Sequence, residues 1–188
     1  IEEISEKIND EFEKMREQGE TNPTLFEIFR NDSVNDFINF TNNNSISNNS
    51  IFETNPFLIG NQLNYLELAT LFGSMKVFRY LLSKNQNLSS SLWHLAIYGQ
   101  NFEVIKILKE ENIEPLIYSY KDLFIESLKC HDNDISNYIH DTFLPNVNLN
   151  SPEFIPFYFK YYNFEYIKTE FVDKSNINDL CLFDYPFI

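Results

Sequence analysis

Along most of the chain, apolar residues recur at alternating spacings of three and four, the pattern of helices that each bury one face. At the start, Ile1, Ile4, Ile8, Phe12 and Met15 keep this spacing with Glu and Lys on the other faces, which predicts an amphipathic helix within residues 1–20. Gly19 ends it, and Asn22-Pro23 starts a new segment. A helix pair is then expected from Thr24–Phe29 through Val34, Phe37 and Ile38. Thr41–Ser50 is nearly all Asn and Ser, has little apolar surface to bury, and is expected to be a mobile loop.

From Asn64 the pattern itself repeats. Tyr65-Leu66-Glu67-Leu68-Ala69 leads into Met75-Lys76-Val77-Phe78-Arg79-Tyr80-Leu81-Leu82, and 27 residues on Leu92-Trp93-His94-Leu95-Ala96 leads into Phe102–Leu108. Two further steps of 31 bring Leu123–Ser127 with Asp134–Ile139, then Phe154–Tyr161 with Phe164–Ile167. Each unit reads as a helix with a small residue near its middle (Ala69, Ala96, Ser127), a tight turn and a second apolar helix. Tyr158 stands where the fourth of these units should have its small residue. One such pair cannot bury its apolar face alone, so neighbouring pairs stack and share a core. The pattern predicts an all-α repeat solenoid of about five helix pairs over residues 21–188, with units near 24–41, 64–83, 91–110, 121–141 and 153–172. Trp93 is expected at the seam between the segments 64–82 and 91–108.

Composition narrows the function classes. The chain of 188 residues is 43% hydrophobic, which fits a globular protein, and its aromatic share of 16% is high. Its 28 acidic residues against 14 Lys and Arg leave a formal charge of -14, and no Lys/Arg stripe interrupts that field. Nucleic-acid binding and adsorption to anionic membranes are therefore not expected. No apolar run approaches the ~20 residues that cross a bilayer. The start, Ile1-Glu2-Glu3-Ile4, has no basic segment and no initiator Met, and reads as a cut or processed end and not as a signal peptide. Cys130 and Cys181 have no spacing that suggests a secreted disulfide framework, so two free thiols in an intracellular, cytoplasmic setting are expected. The apolar run Leu180–Ile188 is expected either to pack back on the stack or to lead into further repeats.

The units resemble ankyrin repeats, whose motif runs Thr-Pro-Leu-His-x-Ala, a short spacer, Gly-His and an apolar helix. Ser91-Leu92-Trp93-His94-Leu95-Ala96 is similar to the first part, and Gly73-Ser74-Met75-Lys76-Val77-Phe78-Arg79-Tyr80-Leu81-Leu82 to the second. More narrowly, the run Leu128-Lys129-Cys130-His131-Asp132-Asn133-Asp134-Ile135 resembles a divergent ankyrin-like domain of unknown function expanded in protists. The resemblance covers about 24–188 and is strongest over 64–140. The Thr-Pro pair is absent from every unit and the step of 27 is shorter than the ~33 of a regular repeat. Regular β-hairpin fingers are therefore not expected throughout. The glycine of the inter-helix turn is kept as Gly73 and replaced by His131, a type that tolerates left-handed backbone.

Candidate chemistry is sparse. The resemblance implies that His94 ties neighbouring loops together by hydrogen bonds. His131 with Cys130 and Asp132 could be drawn as a metal site, but neighbours on a turn point apart and no second Cys/His pair stands at ligand spacing. His140 falls on the last turn of a helix, where positive charge suits the dipole. No nucleophile motif or phosphate-binding Gly-rich loop occurs, and Glu110-Glu111 reads as solvated charge. Neither catalysis, a cofactor nor a metal is expected.

Binding is where the resemblance makes a positive claim. It implies a concave face made by loop tips and the outer side of each first helix. The positions two and three after the small residue, which would project there, are Leu71 and Phe72, Tyr98 and Gly99, Lys129 and Cys130, Lys160 and Tyr161. Phe72, Tyr98 and Tyr161 would form an aromatic line suited to a protein partner; alternatively, flanking helices bury them as core. The charge favours a basic or neutral protein partner. The resemblance thus implies a non-catalytic protein–protein interaction scaffold, with a structural N-terminal cap of a longer ankyrin array as the alternative.

Overall fold

The computed structural model describes residues 23–44, 51–53, 62–115 and 119–167. The expected helix within 1–20, most of the loop Thr41–Ser50, Cys181 and the run Leu180–Ile188 lie outside the described residues. The protein is all-α. Its helices are α1 (Pro23–Arg30), α2 (Val34–Asn43), α3 (Tyr65–Leu71), α4 (Met75–Ser83), α5 (Leu92–Tyr98), α6 (Phe102–Glu110), α7 (Tyr120–Lys129), α8 (Asn133–Phe143) and α9 (Ile155–Lys160). Before α3, strand β1 (Ile51–Glu53) pairs antiparallel with β2 (Gln62–Asn64), with Phe52 opposite Leu63.

Local chemistry sets the helix starts. Pro23 opens α1 at a position whose N–H would have no partner. Asn64 caps α3 and Ser119 caps α7 through reciprocal capping boxes, with Glu67 and Asp122 as the returning carboxylates. Helix α2 runs further than expected: the Thr41 side chain is buried with its hydroxyl donating to the carbonyls of Phe37 and Ile38, and the Asn44 side chain donates to the Phe40 carbonyl at 2.8 Å. Thr41–Asn43 are therefore helix and not loop.

The helix ends repeat one device. At the end of each first helix a single residue takes left-handed backbone: Asp32, Gly73, Gln100, His131 and Tyr162, with φ of 48, 68, 50, 56 and 55°. The N–H of the next residue then reaches back to the fifth residue before it: Ser33 to Ile28, Ser74 to Ala69, Asn101 to Ala96, Asp132 to Ser127 and Asn163 to Tyr158, at 2.7–3.2 Å. The left-handed residue's own N–H bonds one position later on the helix, so each turn is a Schellman motif that satisfies two terminal carbonyls. The carbonyl that accepts belongs to the small-residue position of the sequence repeat. Asn85 and Asn112 end α4 and α6 in the same way.

Helices pack within pairs (α1 on α2, α3 on α4, α5 on α6, α7 on α8), and first helices pack on first helices, α3 on α5, α5 on α7 and α7 on α9. One continuous core runs through them from Leu25 to Tyr158. Small side chains stand where a first helix has first helices on both sides (Ala96, Ser127) or packs on one (Ala69). The outer pairs of the described residues carry Ile28 and Tyr158 instead. Tyr158 is buried, donates its hydroxyl to the Leu149 carbonyl at 2.8 Å, and stacks on Tyr166 at 5.6 Å.

Trp93 is fully buried, but its ring meets Tyr120 and Phe143, edge-on at 5.8 and 5.6 Å, and its Nε1 donates to the Ile113 carbonyl at 2.8 Å. These partners lie on the C-terminal side, so the indole fills the seam with α7 and α8 and not the expected one with 64–82. Among the described residues the β1–β2 ribbon is the single hairpin; residues 84–91 and 144–154 connect neighbouring pairs without strands.

Candidate functional site

Because the five turns have one geometry, the residue just before each C-cap stands at the same place on its first helix: Arg30, Leu71, Tyr98, Lys129 and Lys160. The next residue is the C-cap itself, and these are Phe72, Gly99, Cys130 and Tyr161 from the second pair onward. The expected contact residues thus fall into two neighbouring columns at the ends of the first helices, and their environments differ.

Tyr98 and Lys129 come together across the seam between α5 and α7. The Tyr98 hydroxyl donates to Glu126 Oε2 at 2.7 Å. The Lys129 ammonium lies 3.3 Å from that hydroxyl, 3.5 Å from the same carboxylate and 5.5 Å from the centroid of the Tyr98 ring. Burial, reinforced by the bond to Glu126, pushes the Tyr98 hydroxyl above its ordinary pKa, and the bond to Tyr98 does the same for Lys129. At neutral pH the phenol is therefore neutral and the ammonium charged, each as its bonds require. One turn before Tyr98, the His94 ring stands edge-on to it at 6.4 Å. Burial holds His94 below the usual imidazole range, against the pull of Glu67 and Glu126.

Phe72 belongs to a different environment. Its ring packs on Phe26 at 5.4 Å and Phe29 at 6.2 Å, with the Arg30 guanidinium 5.5 Å from its centroid. It is half-buried against α1. Tyr161 is half-buried and stacks on Phe157 of its own helix at 6.4 Å, with Lys160 at 5.3 Å from its ring centroid and itself exposed. Among the described residues no ring contact joins any two of Phe72, Tyr98 and Tyr161.

Gly99 is not a face position. It ends α5 with φ of -79°, and the left-handed turn falls on Gln100. A Cβ on Gly99 would come within 2.6 Å of the Thr70 carbonyl oxygen, and closer still to that of Leu71. Only a residue without a side chain lets the ends of α3 and α5 meet backbone to backbone. Cys130 is a half-buried thiol that burial pushes up, and its carbonyl accepts from Gln100 Nε2 at 3.4 Å.

The sequence reading missed two members of this region. Glu126, one turn before Lys129, is the acceptor that fixes Tyr98. Glu67 accepts the Asn64 N–H at 2.9 Å and the Ser91 hydroxyl at 2.6 Å, which ties α3 to the start of α5. A second surface feature is a groove of about 390 Å³ between α1 and α2, lined among others by Glu27, Ile28, Asp36 and Phe40. His131 occupies its exposed turn, and the His140 ring lies between two acceptors, the Val147 carbonyl 3.1 Å from Nε2 and the Asp141 carboxylate 3.0 Å from Nδ1. His140 therefore pins the loop after α8, a more direct role than a dipole contact.

Among the described residues no three His, Cys, Asp or Glu side chains gather as a metal site would need, and no helix is long and apolar enough to cross a membrane. What the first-helix ends offer is surface: half-buried rings flanked by cations and hydrogen-bonding groups. In comparisons with known proteins, no family model, no curated protein and no solved structure matches this chain.

Proposed function

We propose that this chain is a non-catalytic protein-binding scaffold of the ankyrin-repeat type, and that its partner contacts the ends of the first helices around Tyr98, Lys129, Lys160 and Tyr161. The observation that carries the reading is the recurrence of one Schellman turn at Asp32, Gly73, Gln100, His131 and Tyr162. A turn repeated in this way presents equivalent side chains in rows, which is how repeat stacks make extended contact surfaces. Tyr98 and Tyr161 bring large contact area with only two side-chain torsions each to fix. The formal charge of -14 favours a basic or neutral partner, whose approach it speeds. Phe72 and Leu71 support this surface from α3 and are expected to contribute packing more than contact.

The test is capture of proteins from a lysate of the source cells by the immobilised chain, compared with Tyr98→Ala/Tyr161→Ala. The double variant is expected to lose the captured proteins while its helical circular dichroism and thermal midpoint stay close to those of the parent. Capture of the same proteins in the same amounts, or unfolding of the variant, contradicts the assignment. Phe72→Ala serves as the contrast: its ring packs on α1, so it is expected to lower stability.

A further inference from the structure

Three first helices place charged and aromatic groups around one imidazole. His94 and Tyr98 lie one turn apart on α5 with their rings edge-on at 6.4 Å. Glu67 of α3 accepts from Ser91, three residues before His94, and Glu126 of α7 accepts from the Tyr98 hydroxyl, with the Lys129 ammonium 3.3 Å from that hydroxyl. The other charged groups of the packed helices are bonded elsewhere or exposed. Asp122 is held in the Ser119 cap and Lys121 on Glu153, while Glu103, Lys106, Lys109 and Glu110 of α6 are exposed.

The two carboxylates near His94 are not equally free to move. Glu67 is bonded at both oxygens, by the backbone N–H of Asn64 and by the Ser91 hydroxyl, within a capping box that begins α3. Glu126 is held at Oε2 by two side chains, Tyr98 and Lys129, both of which can swing about their torsions. A positive charge on His94 attracts both carboxylates, but Glu126 is the one that can answer.

We infer that proton uptake by His94 draws Glu126 away from Tyr98 and Lys129, so that the phenol and the ammonium are released to the surface together. At neutral pH the same two groups are tied to Glu126 and to each other. The inference deepens the proposed function, since it makes the contact face acid-responsive, and it rests on that reading only for its biological consequence. Burial disfavours the charged imidazole more than the two carboxylates favour it. The native state therefore prefers neutral His94 more than the unfolded chain does. The stability this contributes is complete above the ordinary value of 6.5 and is lost as pH falls through the lowered native value. Release is thus triggered below the usual imidazole range.

The experiment follows the His94 Cε1–H and the Tyr98 ring signals of the full chain by NMR between pH 8 and pH 5. The expected result is a Tyr98 transition with the same midpoint as His94, below about 6.5. His94→Gln is expected to abolish the Tyr98 transition. Glu126→Gln is expected to abolish it too, and to move the His94 midpoint lower still, because an attracting carboxylate is gone. Tyr98 signals that stay flat while His94 titrates in the parent overturn the inference, whatever the variants do. So does a Tyr98 transition that persists in His94→Gln, or loss of helical circular dichroism over the same pH range, since Tyr98 would then move with the whole fold. The titration needs no partner, so its failure leaves the proposed scaffold role standing, and failure of lysate capture leaves the titration result standing.

Discussion

Replacing Trp93 by Ala is expected to lower stability by about 3–5 kcal/mol, the range for deleting a large buried aromatic side chain. The indole is fully buried, meets Tyr120 and Phe143 edge-on, and donates its only polar proton to the Ile113 carbonyl. Deletion leaves a void between the third and fourth helix pairs and removes that carbonyl's donor. Because one core runs through the helix pairs, a void at this inner seam is expected to weaken the packing on both sides of it. Trp93→Phe separates the terms: it keeps most of the ring contact and is expected to cost about 1–2 kcal/mol, chiefly for the hydrogen bond and the smaller ring. Urea unfolding followed by circular dichroism measures both. An unchanged midpoint in Trp93→Ala would mean that the indole does not hold this seam.

Gly99→Ala is expected to cost on the order of 3 kcal/mol, the upper part of the range for forcing extra volume into a packed site. The atoms its methyl group would meet are the Thr70 and Leu71 carbonyl oxygens at the end of α3, which are backbone and cannot rotate aside. The informative comparison is Gly73→Ala. Gly73 has the left-handed backbone, at φ of 68°, yet the nearest atom to its added Cβ is the Gly99 carbonyl oxygen at 3.9 Å. It therefore bears only the conformational strain of about 1–2 kcal/mol. Torsion angle alone would rank Gly73 as the more sensitive glycine, whereas close approach ranks Gly99 first. Equal costs, or the reverse order, would show that the ends of α3 and α5 do not meet backbone to backbone.

These two sites also mark how far the sequence could be read. The helix pairs were visible because apolar spacing and the small residues Ala69, Ala96 and Ser127 recur, and both follow directly from burial and close packing. Gly73 and His131 announced their turns because those residue types tolerate left-handed backbone. Gln100 and Tyr162 adopt the same conformation without any such sign, since the surrounding hydrogen bonds impose it. Gly99, one place before the turn, looked like a face residue because contact between units is a tertiary fact with no local signature. Trp93 was legible as core, but which neighbour it meets depends on the loop lengths after α6. In the candidate site, Tyr98 and Lys129 could be named from their positions in the repeat. Their link through Glu126 could not, because it joins residues 28 apart whose pairing needs the register between units.

Five equivalent turns, at Asp32, Gly73, Gln100, His131 and Tyr162, close the first helices and bring their ends into register. Residue-resolved native-state hydrogen exchange tests this at the five N–H groups that close those turns, on Ser33, Ser74, Asn101, Asp132 and Asn163. All five are expected to exchange more slowly than an unfolded peptide, with Ser74, Asn101 and Asp132 most protected because their turns have packed pairs on both sides. Free-peptide exchange at any of those three inner amides would contradict the account.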